Sequence, residues 1–459
     1  MTVRALLGLA ALNGAYAVLG VTLLWALRGL PRWSDVLRLA GLGYLLGVAA
    51  FGVVWTQLLV LGVPFGGWGL VLSLACGTVA AGAAGVLLGR PRPRGFGDPE
   101  RHASSAALLV TAAGVALTGL LLEALFRSAR LQSLQAYDAW AFWVPKAKAI
   151  YFFGGLDQQV FTTFPGPTYP PLVPILDAAA FHAMGSADVI TFHVQYWFLV
   201  FGTVAAIAGC LYRHVPAWLL WPPLVLVLAV PRVASGLLTP QADVLVDALF
   251  VVGALLLALW VRDGRGWRLA AAAVLFAGAG LTKREGLLFV AAALVVALAA
   301  SIERRRVGWP RLFAVAAVVA VAAVPWRLWY RSHGIGGEAP TSVGAGGSLG
   351  RMGDSLRLSF DVFFDTTLWS VVPIVALIAV GAALLWGDRR VAGFLAALLG
   401  LVFLGGAWVT YSYRDVPITA DEALNPIVRY TGAVVLLAAV SMPLVLASVW
   451  RSGTEEERR

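Results

Sequence analysis

The 459-residue chain is 60% hydrophobic and 13% charged, with a mean hydropathy of +0.83. This excludes an ordinary water-soluble domain, because apolar runs near the ~20 residues that cross a bilayer recur from end to end. The formal net charge of +10 calls for no nucleic acid partner, since cytoplasmic loops of membrane proteins collect arginine and lysine.

Hydropathy predicts an all-α, polytopic helical membrane protein with about thirteen transmembrane helices. In chain order the expected spans are 5–27, 39–61, 68–88, 105–126, 187–211, 216–238, 243–261, 267–281, 285–301, 311–330, 369–386, 391–411 and 430–449. Met1 to Leu27 lacks a cleavable-signal pattern and reads as a retained span. Cys76 and Cys210 fall inside apolar spans, so no disulfide framework is readable. If the spans alternate, the arginines at 28–38, 89–104, 213, 262–268, 304–311, 389–390 and 451–459 share one side. They make 20 of the 34 basic residues, and that side is assigned as cytoplasmic. The N-terminus then lies outside and the C-terminus in the cytoplasm.

The outer loop 127–186 is expected to carry two interfacial helices, roughly 135–153 and 170–184. It contains Tyr137 to Asp157, YDAWAFWVPKAKAIYFFGGLD, with one carboxylate, two lysines and five large aromatics in its first fifteen residues. Lys146, Lys148 and Lys283 are the chain's only lysines. The second outer loop, 331–368, includes the stretch GIGGEAPTSVGAGGSLG, which reads as a flexible cover over a site.

Asp138 leads the candidate residues. An ionisable group at membrane depth marks a site, here a general base for an acceptor hydroxyl; the plainer role is an N-cap for the helix that follows. Asp243 enters a span in TPQADVLVDALF, where capping is again the plain role, and Asp247 follows one turn deeper on the same face. Lys283-Arg284-Glu285 form a charged corner on the side where basic residues are sparse. Arg429 opens the last span, either snorkelling to the interface or presenting a fork to phosphate oxygens. Lys146 and Lys148 could add point charge to the same phosphate. The five histidines show no metal-ligand spacing, and no nucleotide-binding loop is present.

These pieces together resemble the GT-C superfamily of membrane glycosyltransferases, in particular bacterial relatives of protein O-mannosyltransferases and aminoarabinose transferases. Asp138 in YDAW matches the family's first acidic motif. Tyr169-Pro170-Pro171-Leu172, Ala242-Asp243, Leu281-Thr282-Lys283, Pro325-Trp326 and Arg429-Tyr430 follow in the family's order. Pro167-Thr168 stand where aminoarabinose transferases carry a Glu-Lys pair. The resemblance covers roughly residues 105–450, which would form the catalytic core. Residues 1–104 would be extra N-terminal helices, and 451–459 a cytoplasmic tail.

The resemblance implies an inverting transferase that moves a hexosyl or pentosyl group from a polyprenyl-phosphate sugar to a hydroxyl of a glycan, lipid or protein. The reaction would take place at the outer face of a bacterial plasma membrane. Asp138 would be the base, with Asp243 as the second catalytic residue. Lys146, Lys148, Tyr169, Lys283, Arg284 and Arg429 would bind the donor phosphate, and Tyr137, Trp140 and Trp143 would contact sugar or acceptor. A divalent cation, magnesium or manganese, would rest on Asp138 and Asp243. The alternative class is a multi-span transporter or lipid flippase.

Overall fold

The computed structural model describes residues 2–96, 104–336, 349–412 and 424–456. Among them every regular element is helical. The first three long helices are α1 (Val3–Arg28), α3 (Ala40–Val60) and α4 (Gly67–Leu87), with a short α2 (Trp33–Arg38) between the first two. Next come α5 (Ser105–Ala129), a π-helical turn (Ala139–Trp143), α6 (Val144–Phe153), α7 (Gln158–Thr163), α8 (Leu172–Met184) and α9 (Val189–Leu211). The centre of the chain forms α10 (Ala217–Ala229), α11 (Pro231–Leu237), α12 (Ala242–Asp263), α13 (Gly266–Thr282) and α14 (Arg284–Ala300). A 3₁₀ turn leads into α15 (Arg305–Ser332). The last helices are α16 (Leu349–Phe363), α17 (Thr366–Trp369), α18 (Val372–Trp386), α19 (Arg389–Ser412) and α20 (Leu424–Glu456).

Among the described residues, nine helices are long and apolar enough to cross a membrane: α1, α3, α4, α5, α9, α12, α15, α19 and α20. The described residues are thus those of a helical membrane protein. The other four expected spans fall on α10, α13, α14 and α18, which have only 13 to 17 residues. One expectation needs correction. The span predicted at 216–238 is two helices, because Val230 is extended (φ −65°, ψ 124°) ahead of Pro231. Proline pushes the preceding residue out of the helical region and supplies no backbone donor. The loop expected at 331–368 also contains α16 and α17, while most of its glycine-rich stretch, 337–348, lies outside the described residues.

Local chemistry sets the helix ends. Thr2, Ser104, Asp157 and Asp188 accept first-turn N–H groups of α1, α5, α7 and α9. Helices stand at both places where interfacial helices are expected, 135–153 as the π turn with α6 and 170–184 as α8. But α8 does not lie on a surface: Leu172 to Phe181 are all buried, most of them in the apolar core.

The main apolar core draws on residues from Ala5 to Ala447, so the described residues 2–96 pack with the rest of the bundle, and a small second cluster gathers Leu122, Leu125, Val200 and Leu228. α1 meets α3 at backbone contact through Gly20, Gly43 and Gly47, and α3 meets α8 where Gly52 faces Leu172. A buried polar knot adds direction. Asn13 Nδ2 donates to Gln195 Oε1 (2.7 Å) and Tyr44 OH to Asn13 Oδ1 (2.7 Å), joining α1, α3 and α9. Helix α12 lies at the centre, with residues Val244 to Val261 all buried.

Candidate active site

Four charged side chains from four distant segments meet at one end of the bundle. Asp243 lies in the first turn of α12, where Gln241 is the N-cap residue, and its carboxylate caps no helix. Lys283, extended at the corner between α13 and α14, donates to Asp243 Oδ1 at 2.9 Å. Arg429, near the start of α20, donates from Nε to Asp243 Oδ2 at 2.8 Å. Its Nη2 sits 2.6 Å from Asp243 Oδ2 and 2.5 Å from Asp138 Oδ2. That nitrogen lies off the hydrogen-bond axes, so it acts as a shared charge between two carboxylates. Asp138 makes no capping bond either; its backbone is already helical and the chain enters the π turn directly. Capping is therefore the wrong reading for both aspartates. Each is held by a cation from far along the chain.

A second layer supports this bridge. Tyr430 OH donates to Glu285 Oε1 (2.7 Å), and Lys283 Nζ lies 3.7 Å from the same oxygen. Burial works against the Lys283 charge, but Asp243 and Glu285 outweigh it and raise its pKa above the usual lysine value. The ammonium is therefore charged at neutral pH. Asp247, one turn below Asp243, is buried and makes no hydrogen bond or ion pair among the described residues.

The loop residues divide into two groups. Tyr137 and Trp140 form an edge-to-face pair (5.1 Å) and are more than half exposed. Trp143, expected to meet a sugar, is fully buried against Phe142 and Tyr169. The wide π turn, with its longer repeat, separates the faces of Trp140 and Trp143, which an ordinary helix would stack one turn apart. Tyr169 stacks parallel to Phe142 at 5.9 Å and carries the Arg284 guanidinium on its ring at 5.3 Å. Gly166, at φ +62°, makes room for that ring, since a Cβ there would lie 2.2 Å from Tyr169 Cδ2. Trp326 Nε1 donates to the Thr168 carbonyl (3.2 Å), tying the Tyr-Pro-Pro-Leu element to α15.

Lys146 does not join the charged bridge through the contacts it makes here. It is fully buried and donates to the carbonyls of Gly166 (2.6 Å) and Pro165 (3.1 Å), between the rings of Phe142 and Phe161. It clasps the loop onto α6. Lys148, on the same helix, is half-buried and makes no ion pair among the described residues.

Beside the bridge opens a cavity of about 120 Å³ between α9, α10, α12 and α20. Its walls are apolar, among them Val204, Leu224, Leu228, Val251 and Leu436. Its charged lining is Arg232, Asp243, Asp247 and Arg429. The side chain of Arg232, in α11, makes no hydrogen bond or ion pair among the described residues. Burial pulls its pKa below the ordinary arginine value; Arg429 adds to that and Asp243 opposes it. The break at Val230, absent from the sequence expectation, is what turns Arg232 into this cavity. Arg232, Asp247, Glu285 and Tyr430 are site residues to which the sequence pattern assigns no role, although Asp247, Glu285 and Tyr430 lie beside residues that it does single out.

The donor set does not fit a divalent cation. Arg429 occupies the space between Asp138 and Asp243, Lys283 takes the other oxygen of Asp243, and no third His, Cys, Asp or Glu joins them among the described residues. No family model matches this chain, and neither a curated protein nor a solved structure matches it.

Proposed function

We propose that the protein is a membrane glycosyltransferase that uses a polyprenyl-phosphate sugar, with α10, α13, α14 and α18 completing about thirteen crossings. The observation that carries this reading is the cavity: an apolar-walled slot that also bears Arg232 and Arg429, with Asp243 and Asp247 beside them. The apolar walls suit the first part of a polyprenyl chain, and the guanidinium forks suit the two oxygens of its phosphate. The sugar then lies toward Asp138, Tyr137 and Trp140, on the outer face of a bacterial plasma membrane.

The chemistry follows from competition for Arg429. Without donor, Arg429 holds Asp138 as an ion pair, so the carboxylate is occupied. A donor phosphate that takes Arg429 releases the Asp138 carboxylate. Asp138 accepts the proton of an acceptor hydroxyl, whose oxygen bonds to the anomeric carbon. The bond from that carbon to the phosphate oxygen breaks, and the electron pair leaves with the polyprenyl phosphate. Lys283 keeps Asp243 ionised, so that Arg429 stays anchored as the phosphate departs.

Filling the slot tests this reading. Val204→Trp places a large ring among the apolar walls and changes none of the charged residues. Sugar release from a full-length polyprenyl-phosphate donor should fall about tenfold or more, while unfolding in detergent stays within about 1 kcal/mol of the parent. Unchanged turnover in a folded Val204→Trp protein would place the lipid elsewhere.

A further inference from the structure

The opposite end of the bundle holds a cavity that the transferase reading does not use. Arg28, Arg38, Arg213, Arg265 and Arg268 converge on about 230 Å³ of space, with His214 and Trp267 beside them. Asp243 and Asp263 stand at opposite ends of α12, about 30 Å apart at ~1.5 Å per residue, so this is a separate place.

Among the described residues, two carboxylates serve four of the five guanidiniums. Asp35 pairs with Arg38 (2.9 Å) and Arg213 (3.3 Å), and Asp263 with Arg268 (2.7 Å) and Arg265 (3.1 Å). Arg28 has no acid partner among the described residues and lies over the Trp267 ring at 5.0 Å. Arg268 lies over the same ring at 5.5 Å. Among the described residues these five guanidiniums thus have only two carboxylates between them. His214 offers no balancing anion; burial first, then the nearby arginines, push its imidazole down to about 3, so it stays neutral with Nε2 facing Arg268 Nη2 at 3.0 Å.

Donors are also left open inside. Arg268 is only 3% exposed, yet its Nε has no hydrogen-bond partner, and Arg38 Nε is buried in the same condition. A buried unpaired guanidinium donor is costly, and like charges crowded around a cavity add to that cost. A bound anion relieves both. Planar forks held by a tryptophan ring suit the oxygens of a phosphoryl group better than a single carboxylate.

We propose that this cavity binds a phosphoryl group, supplied either by soluble phosphate or by the headgroup of an anionic phospholipid. The site is built from α1, α2, α9, α12 and α13, so its occupant would tie the N-terminal helices to the central one.

The test uses the full chain and two probes. Protein in phosphatidylcholine nanodiscs is titrated with radiolabelled orthophosphate, and protein in detergent with short-chain phosphatidylglycerol. At least one probe should show one saturable site per chain, weakened about tenfold or more by Arg28→Gln. The Arg28 side chain makes no hydrogen bond or ion pair among the described residues, so that variant should fold; Arg265→Gln at the rim gives the same reading if it does not. Saturation by orthophosphate alone assigns a soluble ligand, and saturation by phosphatidylglycerol alone assigns a lipid headgroup. No saturable site for either probe, or equal affinity in the variants and the parent, overturns the proposal.

Discussion

Arg429→Ala is expected to cost about 3–5 kcal/mol of stability, the range seen when one partner of a buried ion pair is removed. Arg429 is the only cation in contact with Asp138 among the described residues, whereas Asp243 keeps Lys283. The loss therefore falls mainly on Asp138, left without a counter-charge beside apolar helices. Neutralising that carboxylate should recover part of it, so Arg429→Ala with Asp138→Asn should be more stable than Arg429→Ala alone. Arg429→Lys keeps the charge, but one ammonium cannot bridge two carboxylates as the fork does, and an intermediate loss is expected. Denaturant unfolding in detergent measures all three. A cost below about 1 kcal/mol for Arg429→Ala would mean that Asp138 is well solvated and the bridge is a surface pair.

The second large effect is steric. Gly47→Val is expected to cost about 3 kcal/mol or more, because a Cβ at Gly47 would lie 1.8 Å from the Tyr16 carbonyl oxygen. The obstacle is backbone, which cannot turn aside, so α1 and α3 must separate and the Asn13–Gln195–Tyr44 knot opens with them. Gly14, on helix α1, has nothing within 4 Å of the place a Cβ would take, and Gly14→Ala should be neutral or slightly stabilising. Thermal unfolding of the two variants side by side separates packing from helix propensity. Equal midpoints would show that the close approach of α1 and α3 carries little stability.

The long helices and the short helices α6 and α8 are legible in the sequence because apolar length and turn residues announce them locally; the burial of α8 is not, because an apolar stretch of that length suits a surface or a core equally. The break at Pro231 is not, because Val230 to Leu238 is nearly as apolar as a continuing span, and only the proline marks the change. The charged site is legible as a set of residue types but not as a geometry. Asp138 and Asp243 each have the local appearance of a helix cap; what distinguishes them is Arg429, far along the chain, which no local pattern contains. Lys146 shows the converse. Its charge suggests a phosphate ligand, but the carbonyls of Pro165 and Gly166 hold it in the loop. Trp140 and Trp143 look equivalent in sequence, and only the π turn puts one outside and the other in the core.

The most direct test of the central claim follows a radiolabelled sugar on its lipid. Purified protein in bilayers is given a panel of polyprenyl-phosphate sugars, with Asp138→Asn alongside. The account predicts that label leaves the polyprenyl phosphate for an acceptor or water, and that Asp138→Asn slows this by about a hundredfold or more. Label that stays on its lipid throughout the panel, or equal turnover in a folded Asp138→Asn protein, would contradict it.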